Sequence, residues 1–244
     1  MGRKLLTIRY LGVNYHGWQV QDNANTVQAE ICRALEKLFC QKINATGCSR
    51  TDAKVHALKY CLHFDCEKNI PDKNIVKALN TFLPNDIRAV DCTDADFDFH
   101  ARYSCKSKTY IYKIYEGIED PFLYGRALNY SKKLDIEKMQ KFADGLLGTH
   151  DFKGFSNANE LKDTVRTVSE CKVYKSNSKT VIIKISANGF LYNMVRVIVG
   201  TLIEVSEGKI DLNLYDEIFK TKNRNLAGFT AIPDGLYLYD VKYW

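Results

Sequence analysis

The sequence predicts an α+β protein in two halves, with the boundary between residues 105 and 106. Three observations support this. Strand-like alternation opens and closes the chain, helices of amphipathic spacing separate the strands, and the strand–helix rhythm of residues 1–105 recurs in residues 106–244. A chain of 244 residues is long enough for two domains, each with a core of its own.

The elements follow in order. "KLLTIRYLG" (4–12) alternates around β-forming residues and reads as a strand. "NTVQAEICRALEKLF" then places Val27, Ile31, Leu35 and Leu38 on one helical face, with Asn25 or Thr26 as its cap. "YCLHFDC" (60–66) is a strand, "PDKNIVKALNTFL" (71–83) sets Ile75, Val76, Leu79 and Phe82 at helical spacing, and "DIRAVDC" (86–92) is again strand-like. The first half is β-α-β-β-α-β-like. In the second half "KTYIYKIYE" (108–116) is a strand. "LDIEKMQKFADGLLG" (134–148) is an amphipathic helix with Gly148 as its C′ residue. "TVRTVSECKVYKS" and "TVIIKISAN" flank the turn "NSK" as a hairpin, residues 191–205 and 212–220 are helices, and "GLYLYDVKYW" is a closing strand. Each half is economically built as a sheet covered on one side by helices, whose open face suits a large ligand.

Composition narrows the function. Hydrophobic residues make up 45% and charged residues 26%, with four Pro, so long disordered segments are not expected. No apolar run reaches the length of a membrane span, and "MGRKLLTIRYLG" has no signal-peptide character, so a soluble, cytoplasmic protein is expected. The eight Cys are expected to be reduced. None pairs at C-x-x-C spacing, and the five His form neither H-x-E nor H-x-x-x-H, so the sequence supports no zinc site and no zinc nucleobase deaminase. The net charge of +6 divides into +2 for residues 1–105 and +4 for the remainder. This suits an anionic partner, but any nucleic-acid surface must be assembled by folding.

The sequence contains no G-x-x-x-x-G-K-[ST], G-x-G-x-x-G or G-x-S-x-G pattern, which leaves carboxylate chemistry or none. "GCSRTDAKVHA" (47–57) holds Asp52 between Arg50 and His56 in a loop-like turn. In extended backbone residues 50 and 52 point the same way, so Arg50 can stabilise the carboxylate or neutralise a phosphate. Local spacing alone favours a structural loop acid, because Asp is common in turns.

The wider pattern changes that balance. "SRTDAKVHA" resembles the R-T-D-x-G-V-H-A segment of the TruA-type tRNA pseudouridine synthases. In the family's order, "YHGWQVQ" (15–21), "DFHAR" (98–102), "KTYIYKIY" (108–115), "FLYNMVRVIVG" (190–200) and "DGLYLYDVKY" resemble its other motifs, and together they span nearly the whole chain. The resemblance implies two ferredoxin-like (RNP-like) α+β halves whose antiparallel sheets join into one extended sheet, with a basic cleft between them, in a homodimer. It implies isomerisation of uridine to pseudouridine at positions 38 to 40 of the tRNA anticodon arm, without cofactor or metal.

Residue by residue, the resemblance implies Asp52 as the catalytic carboxylate, acting as nucleophile at C1′ or at the uracil ring, or as base at the sugar. Each version needs an ionised acid. It implies Arg196 as the cation that holds Asp52 charged and Tyr110 as the ring that stacks on the target base. Arg50 would contact the phosphate of the flipped nucleotide, and His100 and Arg102 the RNA backbone. Structural roles suit Trp18 and His56, and no role follows for Gln19. Lys54 stands where the family has Gly. A lysine there either accepts positive φ at a steric cost or shifts the turn, and it adds a cation beside the site that points to altered RNA choice. The same scaffold could instead act on ribosomal RNA or bind RNA without catalysis, and a generic hydrolase using Asp52 with His56 needs the other matches to be accidental.

Overall fold

Alternation becomes pairing at the N-terminus. In the computed structural model, which describes residues 2–68, 70–158 and 163–244, β1 (Gly2–Tyr10) buries Lys4, Leu6, Ile8 and Tyr10 on one face. Antiparallel neighbours flank it, β3 (His56–Cys66) and β4 (Ile87–Ala95). The two-residue β2 (Thr46–Gly47) adds to β3, which also pairs in parallel with β10 (Leu236–Lys242). Two helices complete this unit, α1 (Val27–Phe39) and α2 (Asp72–Phe82). Val27, Ile31 and Leu35 are fully buried, as their spacing predicts, together with Ile75 and Leu79. Lys4 is a charge in this apolar layer. Its ammonium meets Asp72 at 2.6 Å and Asp94 at 2.7 Å, so the buried cation is paired.

The chain forms two compact units, Met1–Lys106 with Tyr237–Trp244, and Ser107–Leu236. Sequence order had grouped the closing strand with the second half. It belongs to the first compact unit, where Tyr237 lies opposite His56 and Leu238 opposite Ala57, and Tyr243 donates to the Ala101 carbonyl at 2.9 Å.

In the second unit β5 (Ser107–Glu116) pairs antiparallel with β9 (Thr180–Ala187) and in parallel with β6 (Leu128–Tyr130). β9 pairs with β8 (Val165–Lys175), and β8 with β7 (Gly148–Asp151). The helices are α3 (Ile136–Asp144), α4 (Met194–Ser206) and α5 (Leu214–Thr221). α4 is buried nearly all round, which explains its almost unbroken apolar sequence. Among the described residues no helix is long and apolar enough to cross a membrane.

Two expected helix ends differ. α3 stops at Asp144, earlier than Gly148, because its last amides switch to i→i+3 bonds, Gly145 to Phe142 and Leu146 to Ala143. Gly148, at φ +100°, turns the chain into β7. Thr26 occupies the N-cap of α1, but its hydroxyl caps nothing and is buried without a partner. The first helical amides are taken by backbone instead, Val27 by the Gly17 carbonyl and Gln28 by the Trp18 carbonyl.

His63 lies buried in β3, and its Nδ1 accepts the Ala101 amide at 3.1 Å. Burial, with Arg3 and His100 nearby, lowers its pKa from 6.5 to about 4. The unfolded chain therefore takes up this proton first, so stability is complete above pH 6.5 and declines as pH falls towards 4. Chemical denaturation across that window is expected to lose on the order of 2 kcal/mol through this group, and His63→Gln should flatten the slope.

Candidate active site

The loop after β2 is placed by its buried members. Cys48 and His56 are fully buried, Thr51 and Val55 nearly so, while Asp52 between them is half-exposed and Arg50, Ala53 and Lys54 are exposed. Tyr10 hydrogen-bonds the Thr51 hydroxyl at 2.9 Å, Tyr60 donates to the Ser49 carbonyl, and Cys48 N–H reaches the Cys61 carbonyl at 2.9 Å. Trp18 stacks on Tyr60 with ring centroids 4.3 Å apart, so the "YHGWQ" tryptophan supports the loop from behind.

The remaining anchors come from residues 12–18. Trp18 N–H donates to the Thr51 carbonyl at 3.2 Å, Lys54 N–H to the Tyr15 carbonyl at 3.0 Å, and Gly12 N–H to His56 Nδ1 at 2.9 Å. A β-carbon on Gly17 would overlap the Thr51 carbonyl, and one on Gly12 would overlap that of Val55. His56 is consumed by this packing, its ring stacked on Tyr237 at 4.4 Å.

Lys54 resolves the question that its sequence position raises. Its φ is +66°, so the turn keeps the left-handed backbone and lysine bears the steric cost while its side chain extends into solvent.

Three of the expected RNA-binding residues come together in the first unit. Arg50, His100 and Arg102 line one cavity of about 280 Å³ with Trp18, Gln19 and Tyr103; Asp52 and Lys54 do not line it. His100 Nδ1 accepts the amides of Arg102 and Tyr103 at 3.1 and 3.3 Å. The sequence reading assigned nothing to Tyr103. The signal was an aromatic residue directly after the basic "DFHAR" run.

In the second unit Tyr110 is buried on β5 and meets Phe190 edge-on, centroids 5.1 Å apart. Tyr112, on the same strand face, is the ordinary core tyrosine, fully buried with its hydroxyl donating to the Ile232 carbonyl at 2.7 Å. Burial pushes its phenol pKa up. Arg196 lies in the first turn of α4, donating from Nε to the Ala231 carbonyl at 2.6 Å and from Nη1 to Asn193 at 3.0 Å. Ala231 N–H returns a bond to the Arg196 carbonyl at 3.1 Å, which fixes the base of the side chain from both sides.

The fold, the clasped R-T-D loop and the basic cavity define an α+β protein with a site suited to an anionic ligand. Comparison with known proteins makes this specific. A family model described as tRNA pseudouridine synthase matches residues 6–104 and 142–244. The chain belongs to that family. A protein of Acetivibrio thermocellus called tRNA pseudouridine synthase A is 45% identical over 98% of this chain and 98% of its own length. Proteins of the same name from a Thermoanaerobacter species (44%, covering 100% of both chains) and an Exiguobacterium species (42%, covering 100% and 98%) are similar throughout.

If Lys54 bears a left-handed backbone, Lys54→Gly should relieve it. Thermal or chemical denaturation is expected to show a gain of about 0.5–1 kcal/mol, the relief being partly offset by the greater freedom of glycine in the unfolded chain.

Proposed function

We propose that the protein converts uridine to pseudouridine in tRNA, at positions 38 to 40 of the anticodon arm, with Asp52 as the catalytic carboxylate. The observation that carries this reading is the likeness, at 42–45% identity over 98–100% of the chain, to proteins called tRNA pseudouridine synthase A. The placement of Asp52 supports it, since Thr51 before it and Val55 and His56 after it are buried and the loop backbone is hydrogen-bonded, while Asp52 itself stays half-exposed. A structural loop acid needs no such immobilisation of its neighbours.

The reaction is an isomerisation. The C1′–N1 bond breaks, the uracil rotates, a C1′–C5 bond forms, C5 gives up its proton and N1 gains one, so atoms and electrons balance without a redox partner. Asp52 acts at the sugar or the ring, and Arg196 keeps that carboxylate charged and oriented. The bonds from Arg196 to Ala231 and Asn193 suit this role, because they limit the conformations of its guanidinium. Tyr110 supplies a flat apolar face to a uracil taken out of its stack. Arg50, His100 and Arg102 contact phosphates, and Lys54 adds an exposed cation that biases RNA choice. The protein works in the cytoplasm as a homodimer.

Because the product has the mass of the substrate, the test is nucleoside chromatography or carbodiimide labelling of in vitro transcribed tRNAs beside a ribosomal RNA panel. Wild type is expected to convert an anticodon-arm uridine, and Asp52→Ala to convert none while still binding tRNA. Equal conversion by both would remove Asp52 from catalysis. Conversion confined to ribosomal RNA would move the substrate.

A further inference from the structure

The cavity of the first unit contains more than phosphate contacts explain. Tyr103 is 77% exposed, yet its position is fixed. Its amide is held by His100, its ring lies 4.4 Å from the His100 ring at 34°, and the Arg102 guanidinium sits 5.8 Å from its centroid. His100 in turn rests edge-on against buried His63 at 4.9 Å. Ser104 closes the turn, N–H to the His100 carbonyl at 2.8 Å and Oγ accepting the His100 amide at 2.9 Å. An aromatic ring is thus presented to solvent on a pedestal of two imidazoles.

The surroundings indicate what it receives. Neither the Arg50 nor the Arg102 guanidinium has an ion-pair partner among the described residues, whereas Arg3 of the same unit is paired with Asp65 at 2.8 Å. Opposite polarity comes from an amide. Gln28 accepts from Val20 N–H and Gln19 Nε2, both at 2.9 Å, and donates to the Ala45 carbonyl at 2.8 Å. This chain fixes the orientation of the Gln19 carboxamide, which lines the cavity and can pair with a base edge. About 280 Å³ is the scale of one small ligand, not of a helix.

We propose that this cavity is a subsite for one unpaired nucleotide of the RNA, its base stacked on Tyr103 and its phosphate held by Arg50 and Arg102. Asp52 does not line the cavity, so the nucleotide held there neighbours the isomerised uridine and is not the uridine itself. Tyr103 is a positioning residue, and the proposal rests on the RNA-modifying reading above.

The test compares Tyr103→Ala, Tyr103→Phe and Arg102→Gln with wild type, by fluorescence anisotropy on a labelled tRNA transcript and by pseudouridine formation. Tyr103→Ala is expected to raise Kd and KM by roughly 5- to 100-fold. The loss should fall on these rather than on the single-turnover rate at saturating tRNA, and the salt dependence of binding should be unchanged. Tyr103→Phe should restore wild-type values, and Arg102→Gln should reduce the slope of log K against log salt by about one. Thermal melts establish that each variant is folded. Wild-type Kd and KM in folded Tyr103→Ala would overturn the proposal, as would a Tyr103→Phe defect equal to that of alanine. If wild type binds tRNA but makes no pseudouridine, the isomerase reading fails by itself and the binding measurements still decide the subsite.

Discussion

The first unit depends on the close approach of two backbone segments, residues 12–18 and 51–55. Gly12 and Gly17 leave no room for a β-carbon between them, and the amides of Trp18 and Lys54 reach carbonyls across the gap. The same segment gives its Gly17 and Trp18 carbonyls to the first amides of α1. One short loop thereby satisfies a helix terminus on one side and immobilises the R-T-D backbone on the other. Each backbone bond contributes only about 1 kcal/mol net, but leaving such a buried group unmade costs more, so the arrangement holds as a set. This accounts physically for the "YHGWQ" residues, whose chemistry is otherwise inert. Gly17, Trp18 and the Tyr15 carbonyl hold the R-T-D loop in place.

The second unit follows the same logic with different parts. The segment after α5 is tied down by Arg224, which donates to Asn157, to the Ala227 and Gly228 carbonyls and to Thr230. Gly228 N–H reaches the Thr201 hydroxyl at 2.9 Å within α4. Ala231, at the far end of that segment, is then in position to exchange bonds with Arg196. In both units a residue assigned to chemistry stands on main chain that other residues have already fixed. Preorganisation of this kind places a charged group without spending binding energy on ordering it.

Much of this was legible in the residues, for identifiable reasons. β1, α1, β5 and the β8–β9 hairpin are long enough for periodicity to show, and Val27, Ile31 and Leu35 lie where their spacing puts them. β2, β6 and β7 have two to four residues each, too few to alternate, and went unrecognised. Phe82 satisfies the helical spacing of α2 but is 43% exposed, because it falls in the final turn where the helix leaves the core. The closing strand was misplaced because adjacency in sequence says nothing about pairing with a strand some 180 residues earlier. At the site, Arg50, His100 and Arg102 were each singled out in the sequence, but that they line one cavity depends on folding, and the placement of Tyr103 beside them depends on a turn held by His100 that residue order does not specify. The left-handed backbone at Lys54 was one of two options that the sequence left open.

The clasp between residues 12–18 and 51–55 is tested most directly by the single-turnover rate of pseudouridine formation in Gly17→Ala, measured on folded protein at saturating tRNA. A methyl group there must displace the Thr51 carbonyl, and Asp52 with it. A displacement near 1 Å is expected to slow the chemical step by roughly 100-fold while the affinity for tRNA changes little. A folded Gly17→Ala protein that turns over at the wild-type rate would contradict the account, since the position of Asp52 would then not depend on the clasp.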